Sequence, residues 1–533
     1  MATDVLPPST TAGGLPPRSP VVTRPRAAVL GIVSVALTIA VAELLAAVAS
    51  WTGLMSTSAS PVRSLGQAFI DITPAWLSEW AKKTLGAPWD KITLGIGMGV
   101  TLLIVGAIIG LIGRRNYWIS IGIAIALGVV VAVAIVSRAD AGIVDVLPLA
   151  IGVVVGCWYL RSAFSSDAPA RTFNKAGGVT DRRGFLRFAG YGVLGAAIAG
   201  GISRLIPSAA ATVDSRAAVK LPPVSKQPEA SVTTLDKVPG IAPYVTADSN
   251  FYRIDTAFTL PELTTAGWKL RIHGMVDNPI EINFDQLLSR PQIERMVTLT
   301  CVSNPVGGPL IGNARWQGIH IADLLAEAKP QSGADCVLSS DAKGFTVSTP
   351  LQALTDGRDA MLAVGMNGQP LPVEHGFPVR MVVPGLYGYV SATKWVVDME
   401  VTQFAKVSAY WTRNGWSDHG PIKTSSRIDV PSGDKAISAG PFTVAGVAWA
   451  QHRGISKVQV QIDNKPWADC TLSKPVSKDT WVQWSYQWDV TPGYHTIKCR
   501  AIDGTGALQI AAEQDVIPNG ATGYNEINLQ ATA

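Results

Sequence analysis

The stretch "VTLTCVSNPVGG" (residues 297–308) places a cysteine where a β-strand gives way to a loop. Two threonines alternate with Val297 and Leu299, which is the pattern of a strand in a sheet. Cys301 follows at once, and the proline and the glycine pair after it predict a turn. Packing does not require a thiol at the tip of a strand, so Cys301 is a candidate functional residue.

Composition narrows the class of protein. The chain has 533 residues, and 44 basic against 39 acidic residues leave a net charge of only +5, so charge gives no reason to expect nucleic acid as a partner. The five cysteines form neither a CxxC nor a CxxCH motif. We therefore expect no attached haem and no iron–sulfur cluster in this chain.

The N-terminal part reads as a helical membrane domain. A helix needs about 20 apolar residues to cross a bilayer. Four such segments follow one another, at residues 27–50, 92–112, 117–136 and 141–160. Basic residues gather in the N-terminal tail, at Arg114 and Arg115, and after the fourth segment, which places these three zones in the cytoplasm. We predict a cytoplasmic tail over 1–26, four transmembrane helices over 27–162 and a basic cytoplasmic loop over 163–188.

A second membrane signal lies inside the chain. The run "TDRRGFLRFAGYGVLGAAIAGG" begins at Thr180 and joins Arg182 and Arg183 to a weakly apolar helix predicted over 189–207. It resembles a twin-arginine export signal, which directs folded cargo across the membrane. The alternative is that the two arginines only anchor a fifth helix on the cytoplasmic side. In both cases we expect a fifth span that stays in the membrane and places the remainder outside the cytoplasm.

Ionisable residues are rare inside the predicted spans. None of the five contains a histidine, which excludes a b-type haem held by two imidazoles of this chain within the bilayer. Glu43 is the one buried-looking ionisable residue in the first four spans. It marks either a hydrogen bond between helices or a proton or quinone site.

The part after residue 207 divides by its sequence patterns. Strand-like runs with one short helix are typical of an α+β domain, and a later stretch is almost wholly strand-like. We predict a linker over 208–243, an α+β domain over 244–405, a connector over 406–424, an all-β immunoglobulin-like sandwich over 425–520 and a tail over 521–533. Cys470 and Cys499 both fall in the sandwich and are the most plausible disulfide pair.

These residues together resemble the sulfite oxidase family of molybdenum enzymes. The motifs stand in order over about 244–520 and include "NFYRIDTAF", "TLTCVSNPVGG", "HGFPVRMVVPGLYGYVSATKWV" and, in the sandwich, "VAGVAWA". The resemblance implies a molybdenum–molybdopterin cofactor and oxygen-atom transfer coupled to two-electron transfer. It also implies a homodimer formed through the sandwich. Because the chain has no haem or cluster motif, a separate electron partner is expected, either a haem protein or a quinone that meets the membrane helices.

The same resemblance assigns roles to single residues. Cys301 is expected to be the one protein ligand of molybdenum, a role that suits a soft thiolate. His375 and Arg380 are expected to hold the pyranopterin and its phosphate, because arginine can place two hydrogen bonds on a phosphate. Lys394 follows a glycine-bearing loop whose backbone N–H groups can approach the phosphate. The further cofactor and pocket candidates are Tyr252, Arg253 and Ser340.

Two positions depart from the family pattern. Val306 stands where the family has an arginine five residues after the ligand cysteine, and Trp416 stands near the place of the active-site tyrosine. Arg253 alone would then attract an oxyanion. We therefore expect a sulfoxide or another small oxo compound as substrate. Sulfite is the alternative within the family, and a catalytically inactive membrane-bound binding or scaffold protein is the alternative of another class.

Overall fold

The computed structural model describes residues 22–85, 89–138, 140–164, 181–205, 210–226, 232–433 and 436–533. In these ranges the α-helices are α1 Arg24–Trp51, α2 Pro61–Ile72, α3 Ala75–Leu85, α4 Trp89–Gly113, α5 Tyr117–Val136, α6 Leu147–Phe164, α7 Arg182–Leu205, α8 Ala210–Ala218, α9 Phe284–Leu288, α10 Ile321–Ala328, α11 Leu351–Thr355 and α12 Tyr410–Arg413. The strands are β1 Ser225–Lys226, β2 Lys269–Gly274, β3 Ile280–Asn283, β4 Ile293–Thr300, β5 Ile311–His320, β6 Cys336–Asp341, β7 Thr346–Pro350, β8 Met361–Met366, β9 Gln369–Pro370, β10 Arg380–Val382, β11 Val396–Thr402, β12 Ser425–Val430, β13 Ile437–Ser438, β14 Gly440–Trp449, β15 Ile455–Ile462, β16 Ala468–Asp469, β17 Thr471–Leu472, β18 Val482–Val490, β19 Gly493–Asp503 and β20 Asn525–Thr532. They form a helical unit (α1–α7), an α+β unit (α8–α12 with β1–β11) and a β-sandwich (β12–β20).

The helical unit is built around α1, which packs against α4, α6 and α7. Among the described residues, five helices are long and apolar enough to cross a membrane: Arg24–Trp51, Lys91–Gly113, Tyr117–Val136, Ile143–Phe164 and Arg182–Ser203. A Cβ atom at Gly110 would lie 1.9 Å from the carbonyl oxygen of Ala27, so this glycine permits a close contact between α1 and α4. Large apolar side chains such as Ile96 and Val130 are exposed on the outer faces, as expected of surfaces that contact lipid.

The fifth of these helices, α7, occupies Arg182–Leu205, whereas the sequence predicted a helix over 189–207. α7 begins at Arg182, so the arginine pair lies in its first turn rather than in the loop predicted over 163–188. The Asp181 carboxylate accepts hydrogen bonds from the N–H groups of Arg183 (3.2 Å) and Gly184 (3.4 Å), which caps the start of the helix. Residues 1–21 and 165–180, which belong to the predicted tail and basic loop, lie outside the described residues.

Two shorter helices, α2 and α3, lie between α1 and α4. Trp76 and Trp80 are exposed on α3, as is typical of aromatic side chains at a membrane interface. Glu43 of α1 accepts hydrogen bonds from Ser60 Oγ (2.8 Å) and from the Val62 N–H (2.9 Å). Its carboxylate therefore joins α1 to the start of α2, which is a contact between helices.

The α+β unit contains two sheets that position the candidate site. One has the order β1-β4-β5-β8-β10 with β9 beside β8, and the other has the order β3-β2-β11-β6-β7. The core of the unit contains Trp268, which directly precedes β2, and Leu270 and Ile272 of β2. β4 ends one residue before Cys301, and β10 begins at Arg380, so strands of the first sheet position both residues.

The segment predicted as a linker over 208–243 is ordered where it is described. Within it, α8 occupies Ala210–Ala218, and Arg216 donates to the carbonyl oxygens of Leu371 (2.8 Å) and Pro370 (2.7 Å). β1 then pairs with β4. Composition predicted a linker, but the Arg216 guanidinium and the backbone of β1 find hydrogen-bond partners in the α+β unit, which holds the segment against that unit.

The C-terminal unit confirms the predicted sandwich, with one boundary corrected. Its sheets have the orders β12-β14-β18-β17 and β13-β20-β19-β15-β16. The tail predicted over 521–533 is wrong, because β20 pairs with β19 over most of that range. Leu529 and Ala531 alternate along β20 and are buried in the sandwich core, so the strand contributes to the fold.

The predicted disulfide between Cys470 and Cys499 is not formed, and both thiols are free. The Cys470 N–H donates to the carbonyl oxygen of Val458 in β15 (2.9 Å), whereas Cys499 in β19 pairs with Val460 on the other side of β15. The two cysteines therefore approach β15 from opposite sides, with that strand between them.

The sandwich also supports the strand that carries Cys301. Gln451 is fully buried and donates through Nε2 to the Thr298 carbonyl oxygen (2.9 Å) and to Thr300 Oγ1 (3.1 Å). The Trp481 N–H donates to Thr298 Oγ1 (2.8 Å). These contacts from a second unit hold the end of β4, so the turn that contains Cys301 begins from a fixed strand.

Candidate active site

One cavity of the α+β unit brings most of the predicted site residues together. The empty space between its walls, with the open mouth included, is about 880 Å³. The predicted residues in its wall are Tyr252, Cys301, His375, Arg380 and Lys394. The wall also contains two carboxylates, Asp255 and Asp341, and aromatic side chains that include Phe345, Tyr389, Trp411 and Trp416. Sequence reasoning missed both carboxylates and the aromatic residues other than Tyr252 and Trp416.

Cys301 is held at the cavity by a tight turn. Its N–H donates to the Leu310 carbonyl oxygen (3.0 Å), and its own carbonyl oxygen accepts from the Asn304 N–H (3.1 Å). Asn304 Oδ1 in turn accepts from the Leu310 N–H (2.8 Å). The thiol is half-buried and forms no disulfide. A backbone fixed on both sides directs one polarisable sulfur toward the cavity.

Arg380 and His375 form a buried pair in the wall. The Arg380 Nη1 donates to the His375 carbonyl oxygen (3.0 Å), and the guanidinium lies 4.8 Å from the centre of the Trp316 ring. Burial lowers the pKa of Arg380 to about 10, and burial together with the nearby guanidinium lowers the pKa of His375 to about 4. His375 is therefore neutral at pH 7, and its Nε2 lies 3.1 Å from the Asp248 carbonyl oxygen.

The Arg380 guanidinium has no counter-ion of its own. It is 5% exposed, and its hydrogen bonds go to backbone carbonyl oxygens. Among the described residues, no carboxylate forms an ion pair with it. A buried positive charge at a cavity wall without an anionic partner is costly unless an anion enters the cavity. The site is therefore suited to a phosphate or another anionic group.

Lys394 belongs to a cluster of three cations around one carboxylate. Asp255 is 4% exposed and contacts Lys91 (2.5 Å), Arg253 (2.8 Å) and Lys394 (3.1 Å). Burial alone would raise the pKa of Asp255, but the three cations hold it well below its usual range. Burial lowers the pKa of Lys394 to about 8.

Two of the predicted residues do not line the cavity. Arg253 lies outside the wall, with its Nε donating to Asp255 (2.8 Å). Ser340 is also absent from the wall, which instead contains its neighbour Asp341. Ser340 and Asp341 both belong to β6, where successive side chains point to opposite faces of the sheet, so a shift of one residue changes the face. The signal that could have found Asp341 is the alternation of buried positions along β6.

Several residues of the wall are aromatic, and we call them the aromatic side of the cavity. Tyr252 stacks on Phe251 with ring centres 5.2 Å apart, and burial raises the pKa of its hydroxyl. Trp411 and Trp416 meet edge to face with ring centres 6.2 Å apart. Trp416 is 3% exposed, and its indole N–H has no hydrogen-bond partner in the described residues. The aromatic side therefore gives the cavity apolar surface, and it contains one buried donor without a partner among the described residues.

The residues present fit a molybdopterin cofactor. A thiol at the cavity supplies a soft metal ligand, and the buried Arg380 and Lys394 supply positive charge for a phosphate. In the part of the chain that the structure describes, no three His, Cys, Asp or Glu side chains are placed to hold a metal ion. Among the described residues, Cys301 is therefore the one side chain that we would assign to a metal here.

Comparisons with known proteins agree with this geometry. Residues 257–411 match the oxidoreductase molybdopterin binding domain, and residues 425–499 match the bacterial Ig domain. The uncharacterized oxidoreductase YuiH of Bacillus subtilis is 33% identical over 153 residues, which are 29% of this chain and 74% of that protein. Human mitochondrial sulfite oxidase is 28% identical over 309 residues, which cover 49% of this chain and 56% of that enzyme. The sulfane dehydrogenase SoxCD from Paracoccus pantotrophus matches in structure with a TM-score of 0.48 and 22% identity, over 54% of this chain and 84% of that one.

The matches place the relationship in the α+β unit and the sandwich. The chain spans about half the length of the mitochondrial sulfite oxidases that it matches. The match to YuiH covers nearly three quarters of that protein, and the molybdopterin domain match contains His375, Arg380 and Lys394 as well as Cys301. The chain therefore belongs to the sulfite oxidase family of molybdopterin-dependent oxidoreductases.

Proposed function

We propose that the chain is a membrane-anchored molybdopterin oxidoreductase that transfers an oxygen atom to or from a sulfoxide or another small, neutral oxo compound. The observation that carries the proposal is one cavity with the Cys301 thiol in its wall, together with the buried Arg380 guanidinium, which has no carboxylate partner among the described residues. When bound, the cofactor supplies the two-electron redox change and the oxygen-atom exchange, which no side chain can supply.

The chain's own residues hold and orient the cofactor. Cys301 serves as the protein ligand, and the turn that fixes its backbone sets the direction of the sulfur. Arg380 and Lys394 bind the anionic end of the cofactor, and neutral His375 contributes ring N–H or lone-pair contacts without adding charge. Aromatic side chains exclude water from the substrate side, which strengthens polar contacts made there.

The charges around the cavity favour a neutral substrate over sulfite. Arg253 is bound to Asp255, and Val306 lies outside the wall. The cations that do line the cavity, Arg380 and Lys394, are assigned to the cofactor. We assign to the oxygen of an S=O group the Trp416 indole N–H, which has no partner among the described residues. In sulfoxide reduction that oxygen leaves as water after the addition of two electrons and two protons.

Sulfite dehydrogenation is the second candidate function. It is favoured by the relationship to mitochondrial sulfite oxidases, at 28–29% identity for the human and macaque enzymes. In this case sulfite gains an oxygen atom from water and releases two electrons. A catalytically inactive binding or scaffold protein is the third candidate, from a different class.

Location and partners complete the proposal. The five apolar helices and the basic residues near their ends support a multi-pass protein of the cytoplasmic membrane, with its N-terminus inside and its catalytic unit outside. A reduced haem protein or a quinol would deliver electrons for reduction. A homodimer formed through the sandwich is proposed on the family resemblance.

The metal and pterin content of the full chain, produced in a host that makes the cofactor, tests the function. We expect about one molybdenum and one pterin per chain, and a changed molybdenum spectrum in Cys301→Ser. Cys336→Ala is the matched control, because Cys336 is a buried thiol of β6 outside the cavity. The loaded protein is then assayed with sulfoxides and a reduced dye, and with sulfite and an oxidised dye.

Each outcome discriminates between the candidates. Turnover of sulfoxide supports the proposed function, whereas turnover of sulfite alone supports the dehydrogenase. A parent protein without molybdenum or pterin would contradict both enzymes and favour the binding protein.

A further inference from the structure

Lys91 belongs to the helical unit, and its positively charged side chain reaches the candidate active site. It lies near the start of α4, and its Nζ contacts Asp255 Oδ1 at 2.5 Å. Asp255 lines the cavity, and its other oxygen, Oδ2, accepts from Arg253 (2.8 Å) and Lys394 (3.1 Å). Of these three cations, Lys91 belongs to a helix that is long and apolar enough to span a membrane.

The chain around Asp255 is attached to the same unit by its backbone. Gln67 of α2 donates through Nε2 to the Thr256 carbonyl oxygen (3.0 Å) and accepts through Oε1 from the Phe258 N–H (2.8 Å). One amide side chain thus bonds on both sides of Ala257. Thr256 and Ala257 line the cavity as Asp255 does, so this part of the wall lies against the helical unit.

A second part of the wall is attached in the same way. Lys343 donates to Asp140 (2.7 Å) and to Thr57 Oγ1 (2.5 Å), both of which lie in loops of the helical unit. The N–H groups of Lys343 (2.8 Å) and Phe345 (2.9 Å) donate to Asp341 Oδ1. The turn that presents Asp341 and Phe345 to the cavity is therefore also held from the membrane side.

The charge balance gives Lys91 a specific task. An uncompensated carboxylate beside the cavity would repel an anionic cofactor and would draw Lys394 away from it. Lys91 is the cation on Oδ1, so its charge offsets Asp255 from the side opposite to Lys394. Lys394 is then left with positive charge for a ligand in the cavity.

We propose that Lys91 is a positioning residue of the cofactor site, which acts through Asp255 on Lys394. The helical unit thereby completes the site in addition to tethering it. This inference rests on the proposed function, because it assumes that an anionic cofactor occupies the cavity.

The test compares Lys91→Met and Lys91→Arg in the full chain. We measure molybdenum and pterin per polypeptide, and the Mo(V) electron paramagnetic resonance spectrum of the loaded fraction. We expect Lys91→Met to retain about a tenth of the parent's cofactor, in line with losses on removal of residues that orient metal-site ligands. We expect Lys91→Arg to restore retention and spectrum, because arginine keeps the charge.

Arg63→Met is the matched control. Arg63 also joins the helical unit to the α+β unit, through Glu262 at 3.1 Å, but Glu262 does not line the cavity. This variant removes one positive charge and the ion pair with Glu262 from the same interface. We expect it to retain cofactor and spectrum like the parent.

Three results would overturn the inference: parent-like cofactor and spectrum in Lys91→Met, an equal loss in Lys91→Arg, or an equal loss in Arg63→Met. The last would show that the interface matters only as a whole. Failure of the proposed function looks different, because the parent itself would then carry no molybdenum or pterin.

Discussion

The cavity has two acidic corners that respond to burial in opposite ways. At the Asp255 corner, a carboxylate that is 4% exposed is surrounded by Lys91, Arg253 and Lys394 and has its pKa held well below the usual range. At the Asp341 corner, a carboxyl that is 5% exposed accepts hydrogen bonds from backbone N–H groups, and burial raises its pKa to about 7. Burial is nearly the same at the two corners, so it does not decide their charge.

The difference is set by the cations that contact each carboxylate, because Lys394, Lys91 and Arg253 all contact Asp255. Lys91 reaches into the α+β unit and bonds Asp255, whereas Lys343, two residues after Asp341, is bonded to Asp140 and Thr57 of the helical unit. The helical unit therefore supplies Lys91 to the Asp255 corner. At the Asp341 corner it binds the ammonium group of Lys343 instead. The cavity consequently has one ionised carboxylate and one that titrates near neutral pH.

Asp255→Asn should produce the largest effect, because it leaves three cations around a buried neutral amide. Removing one partner of a buried ion pair typically costs about 3–5 kcal/mol of stability. We expect a loss near 3 kcal/mol, since Arg253 and Lys91 retain some contact with water. The measurement is denaturant unfolding of the full chain in detergent at pH 7.

The control for that variant is Glu281→Gln, which removes the carboxylate of an exposed pair with Lys269. We expect a change below about 1 kcal/mol there. The pH dependence is a second check. The low pKa of Asp255 adds stability above its ordinary pKa, and the parent loses that stability as the pH falls below about 4. Equal losses in the two variants would contradict the special role of the Asp255 corner.

Asp341→Asn should raise the free energy of unfolding, whereas Asp255→Asn should lower it, and the change should be smaller. Because the folded protein raises the pKa of Asp341 to about 7, it holds a proton that the unfolded chain releases near pH 4. The parent therefore loses stability as the pH rises from about 4 to 7. The amide keeps the acceptor oxygen and cannot ionise, so the variant should be more stable than the parent at pH 8, by on the order of 2 kcal/mol.

The same unfolding measurement, made at pH 4.5 and pH 8, checks this sign. At pH 4.5 the two proteins should agree closely, because Asp341 is protonated in the folded parent. A variant that is less stable than the parent at pH 8 would mean that ionised Asp341 is stabilised by partners other than the two N–H groups.

The two corners also show how far sequence reasoning reaches. Cys301, His375, Arg380 and Lys394 belong to motifs that are local in the sequence, and all four line one cavity. The five apolar helices were likewise predictable from composition and length alone, because a membrane span needs about 20 apolar residues. Local pattern and family resemblance were sufficient for these features.

Contacts between distant parts of the chain were not predictable in this way. The Lys91–Asp255 ion pair joins residues 164 positions apart, and no local pattern marks it. Ser340 was one residue from the buried position, since strand register cannot be read from a short polar run. The ordering of residues 210–226 depends on Arg216 and on the pairing of β1, which composition does not reveal.

Trp416→Phe should have the smallest effect, and it sharpens the contrast between the charged corners and the aromatic side of the cavity. It removes an indole N–H that has no partner in the described residues. A neutral hydrogen bond contributes about 1 kcal/mol. If that N–H binds the substrate oxygen, KM for a sulfoxide should rise about fivefold while kcat changes little.

Trp411→Phe is the control for ring size, because Trp411 lines the same cavity and packs edge to face on Trp416. Its indole N–H does not belong to the buried donors without a partner, so we expect less than a twofold change in KM for that variant. Steady-state kinetics with a sulfoxide and with sulfite, on loaded protein, separate the two effects. An equal rise in KM in both variants would mean that the aromatic side acts by shape alone. A rise for sulfite rather than for the sulfoxide would assign the Trp416 N–H to an anionic substrate and support the dehydrogenase.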